Sequence, residues 1–215
     1  MRAANLGIRD IRDTSEITGP LLCKSQPVSA PPELPPLVSA ALSLSGRRGF
    51  VSATRNETGR LLATLAASRH GILGELGTGC GVGSAWLRSG AAEGTKIVTA
   101  ESDPQLAKAV AELFSSDDRI EVLEADWTAL IERGPFALLF VDAREAKLSA
   151  RDVVAEAVEP GGFVVLDDFT PSMVWPPMYE GRVDTLRQEW LQDDRFTTVE
   201  VMVAPDAAVL LATRR

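Results

Sequence analysis

The feature that most constrains the fold is a run of four glycines at alternate positions. It reads Glu75-Leu76-Gly77-Thr78-Gly79-Cys80-Gly81-Val82-Gly83. Residues 72–76, in which three of the five are Ile or Leu, predict a short strand, and residues 84–89 begin a helix. Glycine allows a sharp backbone turn and the close approach of a ligand. The run therefore predicts a strand, a binding loop and a helix in succession.

Strand and helix patterns alternate around this run from residue 55 onward. Alternation of this kind predicts parallel βαβ units in an α/β fold. The predicted strands cover 72–76, 96–100, 120–123, 136–141 and 163–166, and the predicted helices cover 58–68, 84–89, 104–114, 153–158 and 183–191. Two final strands, 196–203 and 207–213, flank a turn at Pro205-Asp206. We expect a Rossmann-like, doubly wound, mostly parallel seven-stranded sheet that ends in an antiparallel hairpin.

Two helix starts carry capping signals. Asp103 followed by Pro104 is typical of a helix N-terminus. Ser149 and Asp152 have the spacing of a capping box before helix 153–158. The segment Pro160-Gly161-Gly162 is expected to separate that helix from the fifth strand.

The first 49 residues differ from the rest because six of them are proline. Prolines at 31–36 exclude a helix interior there, while residues 36–44 fit a short helix. We interpret 1–49 as an N-terminal arm or lid and 50–215 as the main domain. A partly disordered tail is the alternative for the arm.

Composition narrows the class of protein. A formal net charge of −8 disfavours a nucleic-acid partner, because such proteins carry broad basic surfaces. No signal peptide or apolar run long enough to span a bilayer is evident, so no membrane association is expected. Two cysteines in 215 residues do not form a disulfide framework. These features predict a cytoplasmic protein.

An acidic residue one strand beyond the glycine run points to an adenosine-containing ligand. Glu101 ends the second predicted strand, where a carboxylate can accept hydrogen bonds from ribose hydroxyls. The dinucleotide fingerprint fails, since Val82 and Ser84 stand where its third glycine is required. No P-loop lysine follows the glycines, which argues against a nucleoside triphosphate.

The stretch from Glu75 to Gly83 resembles motif I of class I S-adenosylmethionine-dependent methyltransferases, and the resemblance extends over most of residues 55–215. It implies S-adenosylmethionine as the cofactor, with the glycine loop against its amino acid part and Glu101 on its ribose. The residues that it implies for cofactor binding are Glu75, Gly77, Thr78, Gly79, Gly81, Glu101, Ser102, Asp126, Trp127 and Asp142.

Three residues have ordinary structural interpretations, and two of them are among the cofactor-binding candidates. Asp126 has a helix cap as its alternative role, and Trp127 has core packing. His70 precedes the first strand, at the wrong end of the sheet for chemistry, so we interpret it as structural.

Three aspartates follow the fourth and fifth predicted strands. Asp142 ends one, and Asp167 and Asp168 end the other, so the parallel sheet should bring them to one edge. This pattern resembles the cation-dependent O-methyltransferases of the catechol and caffeoyl-CoA type. The resemblance implies Mg²⁺, or Ca²⁺ or Mn²⁺, at these carboxylates. The alternative is that Asp142 serves the cofactor and that the pair caps the following loop.

The resemblance also implies a catalytic lysine three residues after the first metal-binding aspartate. Glu145 occupies that position here, so Lys147 could replace the lysine as base only if the loop is shaped differently. An Asp-Asn pair is also commoner in that family than the Asp167-Asp168 pair. Asp142 is the other candidate for a catalytic role.

An apolar, aromatic segment follows the fifth predicted strand. Together with the N-terminal arm it is expected to form the acceptor site, with Trp175, Met178 and Tyr179 as the candidates for contact with a small-molecule methyl acceptor. The alternative is a contact between two copies of the chain in a homodimer.

The favoured function is O-methylation of a small aromatic or hydroxylated molecule, with divalent-cation assistance as an option. The alternatives are a tRNA-modifying methyltransferase, a nicotinamide-dependent oxidoreductase and a non-catalytic S-adenosylmethionine-binding protein.

Overall fold

The computed structural model describes residues 33–215, so most of the predicted N-terminal arm lies outside the described residues. The helices are α1 (Pro36–Arg48), α2 (Asn56–Ala66), α3 (Val82–Gly90), α4 (Pro104–Phe114), α5 (Trp127–Ile131), α6 (Arg144–Ser149), α7 (Arg151–Ala157) and α8 (Thr185–Gln192). The strands are β1 (Ile72–Leu76), β2 (Lys96–Glu101), β3 (Ile120–Glu124), β4 (Phe136–Val141), β5 (Val158–Phe169), β6 (Met178–Tyr179), β7 (Arg182–Val183), β8 (Phe196–Ala204) and β9 (Ala207–Arg214).

Seven strands form one sheet in the order β3-β2-β1-β4-β5-β9-β8. The pairs among β1 to β5 are parallel, and β9 runs antiparallel to both β5 and β8. The strand order reverses between β1 and β4, which is where open α/β sheets bind ligands. The predicted seven-stranded fold with its terminal hairpin is therefore confirmed.

Helices cover both faces of the sheet. Leu138 and Phe140 of β4 belong to one apolar cluster with α1 to α4. Leu139 and Val141 of the same strand belong to a second cluster with α5, α7 and α8. All six residues of β4 are buried, as its uninterrupted apolar sequence predicts.

Helix α1 extends beyond the predicted residues 36–44 and ends at Arg48, where Gly49 adopts a left-handed conformation. Val38 and Ala41 are fully buried. They belong to the same apolar cluster as residues of α3. This part of the predicted arm therefore packs on the main domain.

The region from residue 149 to residue 169 differs most from the predictions. The capping-box prediction is wrong, because the Ser149 hydroxyl donates to the Glu145 carbonyl in α6, and Ala150 precedes α7 without a side-chain cap. The strand start at residue 163 is also wrong: β5 begins at Val158 and includes the Pro-Gly-Gly segment. A register shift against β4 accommodates those residues.

The region after β5 contains a short hairpin that the sequence did not predict, formed by β6 and β7. Helix α8 begins after Asp184, whose carboxylate accepts a hydrogen bond from the Arg187 amide. Within residues 33–215, no helix has both the length and the apolar character needed to cross a membrane.

Candidate active site

The glycine loop follows β1 at the carboxyl edge of the sheet. Gly77 and Gly79 have φ values of 95° and 53°, which disfavour residues with a Cβ. A Cβ on Gly77 would lie 2.9 Å from the Ala143 amide nitrogen, and one on Gly79 would lie 2.8 Å from the Phe50 ring. The loop thus needs glycine for both its conformation and its close contacts.

Glu75 is buried at the end of β1, with 1% of its surface exposed. Its carboxylate accepts hydrogen bonds from the hydroxyls of Ser84 and Thr99. Burial outweighs these bonds and raises the pKa of Glu75 to about 8. The Oε1 atom has no hydrogen-bond partner among the described residues, which leaves a buried acceptor beside the loop.

Glu101 ends β2 and faces the same loop. One carboxylate oxygen accepts a hydrogen bond of 2.8 Å from the Gly79 amide, and the other accepts one of 2.9 Å from the Asp103 amide. These bonds fix the carboxylate at the mouth of a 290 Å³ cavity, called the cofactor cavity below. The cavity is lined by Phe50, Ser52, Ala53, Thr54, Gly77, Thr78, Gly79, Cys80, Val82, Glu101, Asp142 and Asp168.

Five residues that were predicted to bind the cofactor do not line this cavity: Glu75, Gly81, Ser102, Asp126 and Trp127. Asp126 caps α5, where its carboxylate accepts hydrogen bonds from the Thr128 amide and hydroxyl that lower its pKa. Trp127 is half-buried against the second apolar cluster. Ser102 is exposed beside Glu101. Cofactor contacts of these five residues stay predictions, and the alternatives for Asp126 and Trp127 match the observed contacts.

The three aspartates predicted at β4 and β5 meet at the sheet edge. Carboxylate oxygens of Asp142, Asp167 and Asp168 all lie within 4.8 Å of one another. Burial, first, and the other two carboxylates raise the pKa of Asp142 to about 7, although Lys147 opposes the shift. We call these three residues the carboxylate cluster.

The two aspartates of β5 differ in how far their side chains are exposed. Asp167 is buried and accepts a hydrogen bond of 3.2 Å from the Thr58 hydroxyl of α2. Asp168 has a positive φ of 65°, which turns its side chain outward to 72% exposure. The pair therefore presents one anchored carboxylate and one accessible carboxylate.

Lys147 inserts its ammonium group into the cluster from α6. Its Nζ lies 2.8 Å from an Asp168 oxygen and 3.8 Å from an Asp142 oxygen, and donates to the Asp167 carbonyl at 3.2 Å. The side chain is only 8% exposed. The helical turn that begins at Arg144 makes this possible, since it brings residue 147 back over the end of β4.

Two further cavities adjoin the cluster. A cavity of 470 Å³ lies between the 51–55 segment and Asp206, and we call it the α1–α2 cavity. A cavity of 410 Å³ lies between α6 and the start of α8, and we call it the α6–α8 cavity. Asp168 lines all three cavities, and Asp142 lines the cofactor cavity and the α1–α2 cavity.

The predicted acceptor residues separate in the structure. Tyr179 lines the α6–α8 cavity, which includes neither Trp175 nor Met178. The side chain of Trp175 is 61% exposed and that of Met178 is 39% exposed. Their contact with an acceptor and the alternative homodimer contact both stay predictions.

Sequence reasoning missed the segment that closes the cofactor cavity. Phe50 and residues 52–54 connect α1 to α2 and line the cavity opposite the glycine loop. Their only sequence signal was their place between two predicted helices.

The structural role of Arg187 was also missed. This buried residue of α8 pairs with Asp184 and Glu200 at 3.1 and 2.8 Å. It also donates to the Thr170 carbonyl at 2.6 Å and lies 5.2 Å from the Phe169 ring centre. Arg187 therefore ties the end of β5 to α8 and β8.

Comparison with known proteins agrees with this site. Residues 75–169, from Glu75 to the end of β5, match the model of a family described as a methyltransferase domain. No curated protein matches the chain by sequence.

Solved structures share the fold at low sequence identity. A methyltransferase from Geobacter sulfurreducens superposes with a TM-score of 0.69 at 19% identity, over 85% of this chain and 90% of that one. An O-methyltransferase from Bacillus cereus in complex with S-adenosylhomocysteine gives 0.66 at 17% identity, over 85% and 92%. The O-methyltransferase TomG from Streptomyces achromogenes, in complex with S-adenosylmethionine, gives 0.67 at 20%, over 85% and 92%.

At these identities the structural likeness establishes the fold, while the family match covers the glycine loop, Glu101 and the carboxylate cluster. Residues 75–169 thus match a methyltransferase domain, and the chain has the fold of these methyltransferase structures.

Proposed function

We propose that the protein transfers the methyl group of S-adenosylmethionine to a hydroxyl oxygen of a small molecule. The observation that carries this proposal is that Asp142 and Asp168 of the carboxylate cluster line the cofactor cavity, and that Lys147 pairs with both of them. Asp168 belongs to the wall of the cofactor cavity and of both neighbouring cavities. An acceptor in either neighbour would reach the cofactor beside groups that can attract a hydroxyl proton.

The residues of the cofactor cavity suit S-adenosylmethionine. Glu101 lines this cavity and offers a carboxylate for two ribose hydroxyls. The cofactor supplies a methyl group on a sulfonium, which leaves as a neutral thioether. The protein's main task is therefore alignment of the acceptor oxygen with that methyl group. Phe50 and the 52–54 segment would shield the aligned groups from water.

Lys147 is our candidate for the proton acceptor. Its Nζ lies beside Asp168, at the junction of the cavities. Its ammonium group would first have to release a proton to Asp168 or to solvent, and the resulting amine would then accept the hydroxyl proton as the acceptor oxygen takes the methyl group. Asp142 and Asp168 would hold the resulting ammonium in place, as they hold it in the structure.

The carboxylate cluster also fits a divalent cation. Three carboxylates within 4.8 Å form an oxygen-only donor set of the kind that Mg²⁺, Ca²⁺ or Mn²⁺ prefers. Burial and, after it, the neighbouring carboxylates raise the pKa of Asp142, and a cation would stabilise the ionised form against both effects. A bound cation would lower the pKa of an acceptor hydroxyl. We propose Asp142, Asp167 and Asp168 as its ligands.

An Asp168→Ala variant tests the proposal. The purified protein is incubated with S-adenosylmethionine, Mg²⁺ and a panel of hydroxylated aromatic acceptors, and release of S-adenosylhomocysteine is measured. We expect the variant to lose about 100-fold or more in turnover, because the accessible carboxylate at the junction is gone. Binding of S-adenosylhomocysteine by calorimetry should persist.

The matched control is Asp118→Ala, which removes an exposed aspartate far from the cluster in sequence. It should behave as the unmodified protein does. Unchanged turnover in Asp168→Ala would refute the proposed role of the cluster. Loss of S-adenosylhomocysteine binding in that variant would instead indicate that Asp168 contributes to cofactor binding and not to acceptor chemistry.

A further inference from the structure

The α6–α8 cavity has a wall built from one face of a short helix. Arg144, Lys147 and Leu148 lie at positions i, i+3 and i+4 of α6, so their side chains share a face. All three line the cavity. Asp167 and Asp168 also line this cavity, and Asp168 is shared with the cofactor cavity.

The remainder of this cavity is largely apolar. Leu148 and Tyr179 line it and are 60% and 52% exposed, and Phe169 and Leu186 also belong to its wall. Exposed apolar side chains around a cavity favour a ligand with an apolar or aromatic body. The cavity therefore combines an apolar wall with polar residues.

The cations of this cavity differ in how they are paired. Lys147 is bound to the carboxylate cluster, and Arg187 is bound to Asp184 and Glu200. Arg144, in contrast, forms no ion pair with any residue between 33 and 215, and its side chain is exposed. Arg144 is therefore the guanidinium of this wall that can receive an anionic group from a ligand.

The α1–α2 cavity offers no comparable cation. Its arginine, Arg55, already holds both oxygens of Asp206, at 2.9 and 3.0 Å. An anionic ligand there would have to displace that carboxylate. The α6–α8 cavity is thus the better site for a negatively charged acceptor.

We infer that the methyl acceptor is a hydroxylated aromatic carboxylic acid that binds in the α6–α8 cavity, with its carboxylate on Arg144 and its hydroxyl toward Asp168 and Lys147. This inference rests on the proposed function and narrows its substrate class. A guanidinium suits a carboxylate because two parallel N–H donors match its two oxygens. Arg144 is a specificity-determining residue in this scheme and takes no part in the bond changes.

A charge-matched acceptor series tests the inference. The probes are vicinal dihydroxy aromatic acids, with the carboxylate on the ring or on a one- or two-carbon chain, and the corresponding neutral amides and cationic amines. We expect the best acid to exceed its amide in kcat/KM by about tenfold, which corresponds to about 1.4 kcal/mol. Arg144→Gln should remove that preference, and Arg144→Glu should shift it toward the amine.

Arg47→Gln is the matched control, since it removes an exposed arginine in the last turn of α1. It should keep the preference for the acid. Equal use of acid and amide, or a preference that Arg144→Glu leaves unchanged, would overturn this inference while O-methylation itself stands. Failure of every probe to accept a methyl group, with S-adenosylhomocysteine still bound, would overturn the proposed O-methylation and this inference with it.

Discussion

At the scale of single residues, Glu75 and Glu101 show how a short motif sets up a binding site. Both carboxylates follow from the sequence, because each ends a strand next to the glycine loop. The hydrogen-bond partners of these two carboxylates do not follow from the sequence. Ser84 and Thr99 reach Glu75 from other elements, and the Gly79 amide reaches Glu101 only once the loop has its left-handed glycines.

The position of Lys147 beside Asp142 could not be derived from the sequence either. Lys147 lies five residues after Asp142, whereas the family resemblance implies a lysine three residues after it. The structure nevertheless places its Nζ 3.8 Å from an Asp142 oxygen, because a helical turn begins at Arg144. The sequence pattern contained no indication of that turn.

Replacing Glu101 with Gln tests the cofactor cavity at this scale. We expect S-adenosylhomocysteine to bind about tenfold to 100-fold more weakly, because hydrogen bonds to a charged carboxylate contribute roughly 1.5–3 kcal/mol. Calorimetric titration measures the change. Glu112→Gln, at an exposed position of α4, is the matched control and should bind as before. Equal affinities in the two variants would contradict the assignment of Glu101 to the ribose.

At the scale of elements, the long apolar or well-capped segments were predictable and the short ones were not. Strand β4 and the Asp103-capped helix α4 match their predictions, because burial on both faces and a side-chain cap each leave a local signature. Helices α5 and α6 and the β6–β7 hairpin are too short for periodicity to show. Tertiary contacts, such as those of Arg187, hold this region together instead.

Arg187→Met tests that tertiary link. The variant keeps an apolar stem but leaves Asp184 and Glu200 without their cation at a largely buried position. We expect a loss of about 3–5 kcal/mol in the free energy of unfolding, measured in denaturant. Arg133→Met, which removes an exposed arginine paired with Glu121, should cost less than about 1 kcal/mol. Similar losses in both variants would show that Arg187 does not anchor the end of β5.

At the scale of the whole molecule, the strand order explains why distant segments form one site. Parallel strands β1, β2, β4 and β5 end at the same edge, so residues 75–79, Glu101, Asp142 and Asp167-Asp168 meet there. The meeting of these residues at one edge follows from the alternation of strands and helices in the sequence. The contribution of residues 50–58 to the site does not follow from the sequence, because it depends on how α1 and α2 pack against α3.

The buried Glu75 also gives the molecule a predicted pH dependence. Its pKa is raised to about 8 from an ordinary value of 4.5, so the folded state retains a proton that the unfolded state releases. Its contribution to stability is therefore complete below about pH 4.5 and declines as the pH rises toward 8. Denaturant unfolding between pH 5 and pH 8, without cofactor or divalent cation, should show this decline.

Glu75→Gln is the control for that dependence, since the amide is close in shape but has no titration in this range. The variant should show a shallower fall in the free energy of unfolding with pH, although Asp142, whose pKa is also raised, contributes a fall of its own. Parallel curves for the two proteins would mean that Glu75 does not titrate as described.

The proposed function requires one sheet edge to hold S-adenosylmethionine and to direct its methyl group to a hydroxyl oxygen. The most direct test is mass spectrometry of the acceptor panel after incubation with S-adenosylmethionine that carries an isotopically labelled methyl group. We expect an O-methylated product that contains the label, formed by the unmodified protein and lost with Asp168→Ala. A label found on carbon or nitrogen, or no labelled product although S-adenosylhomocysteine binds, would contradict it.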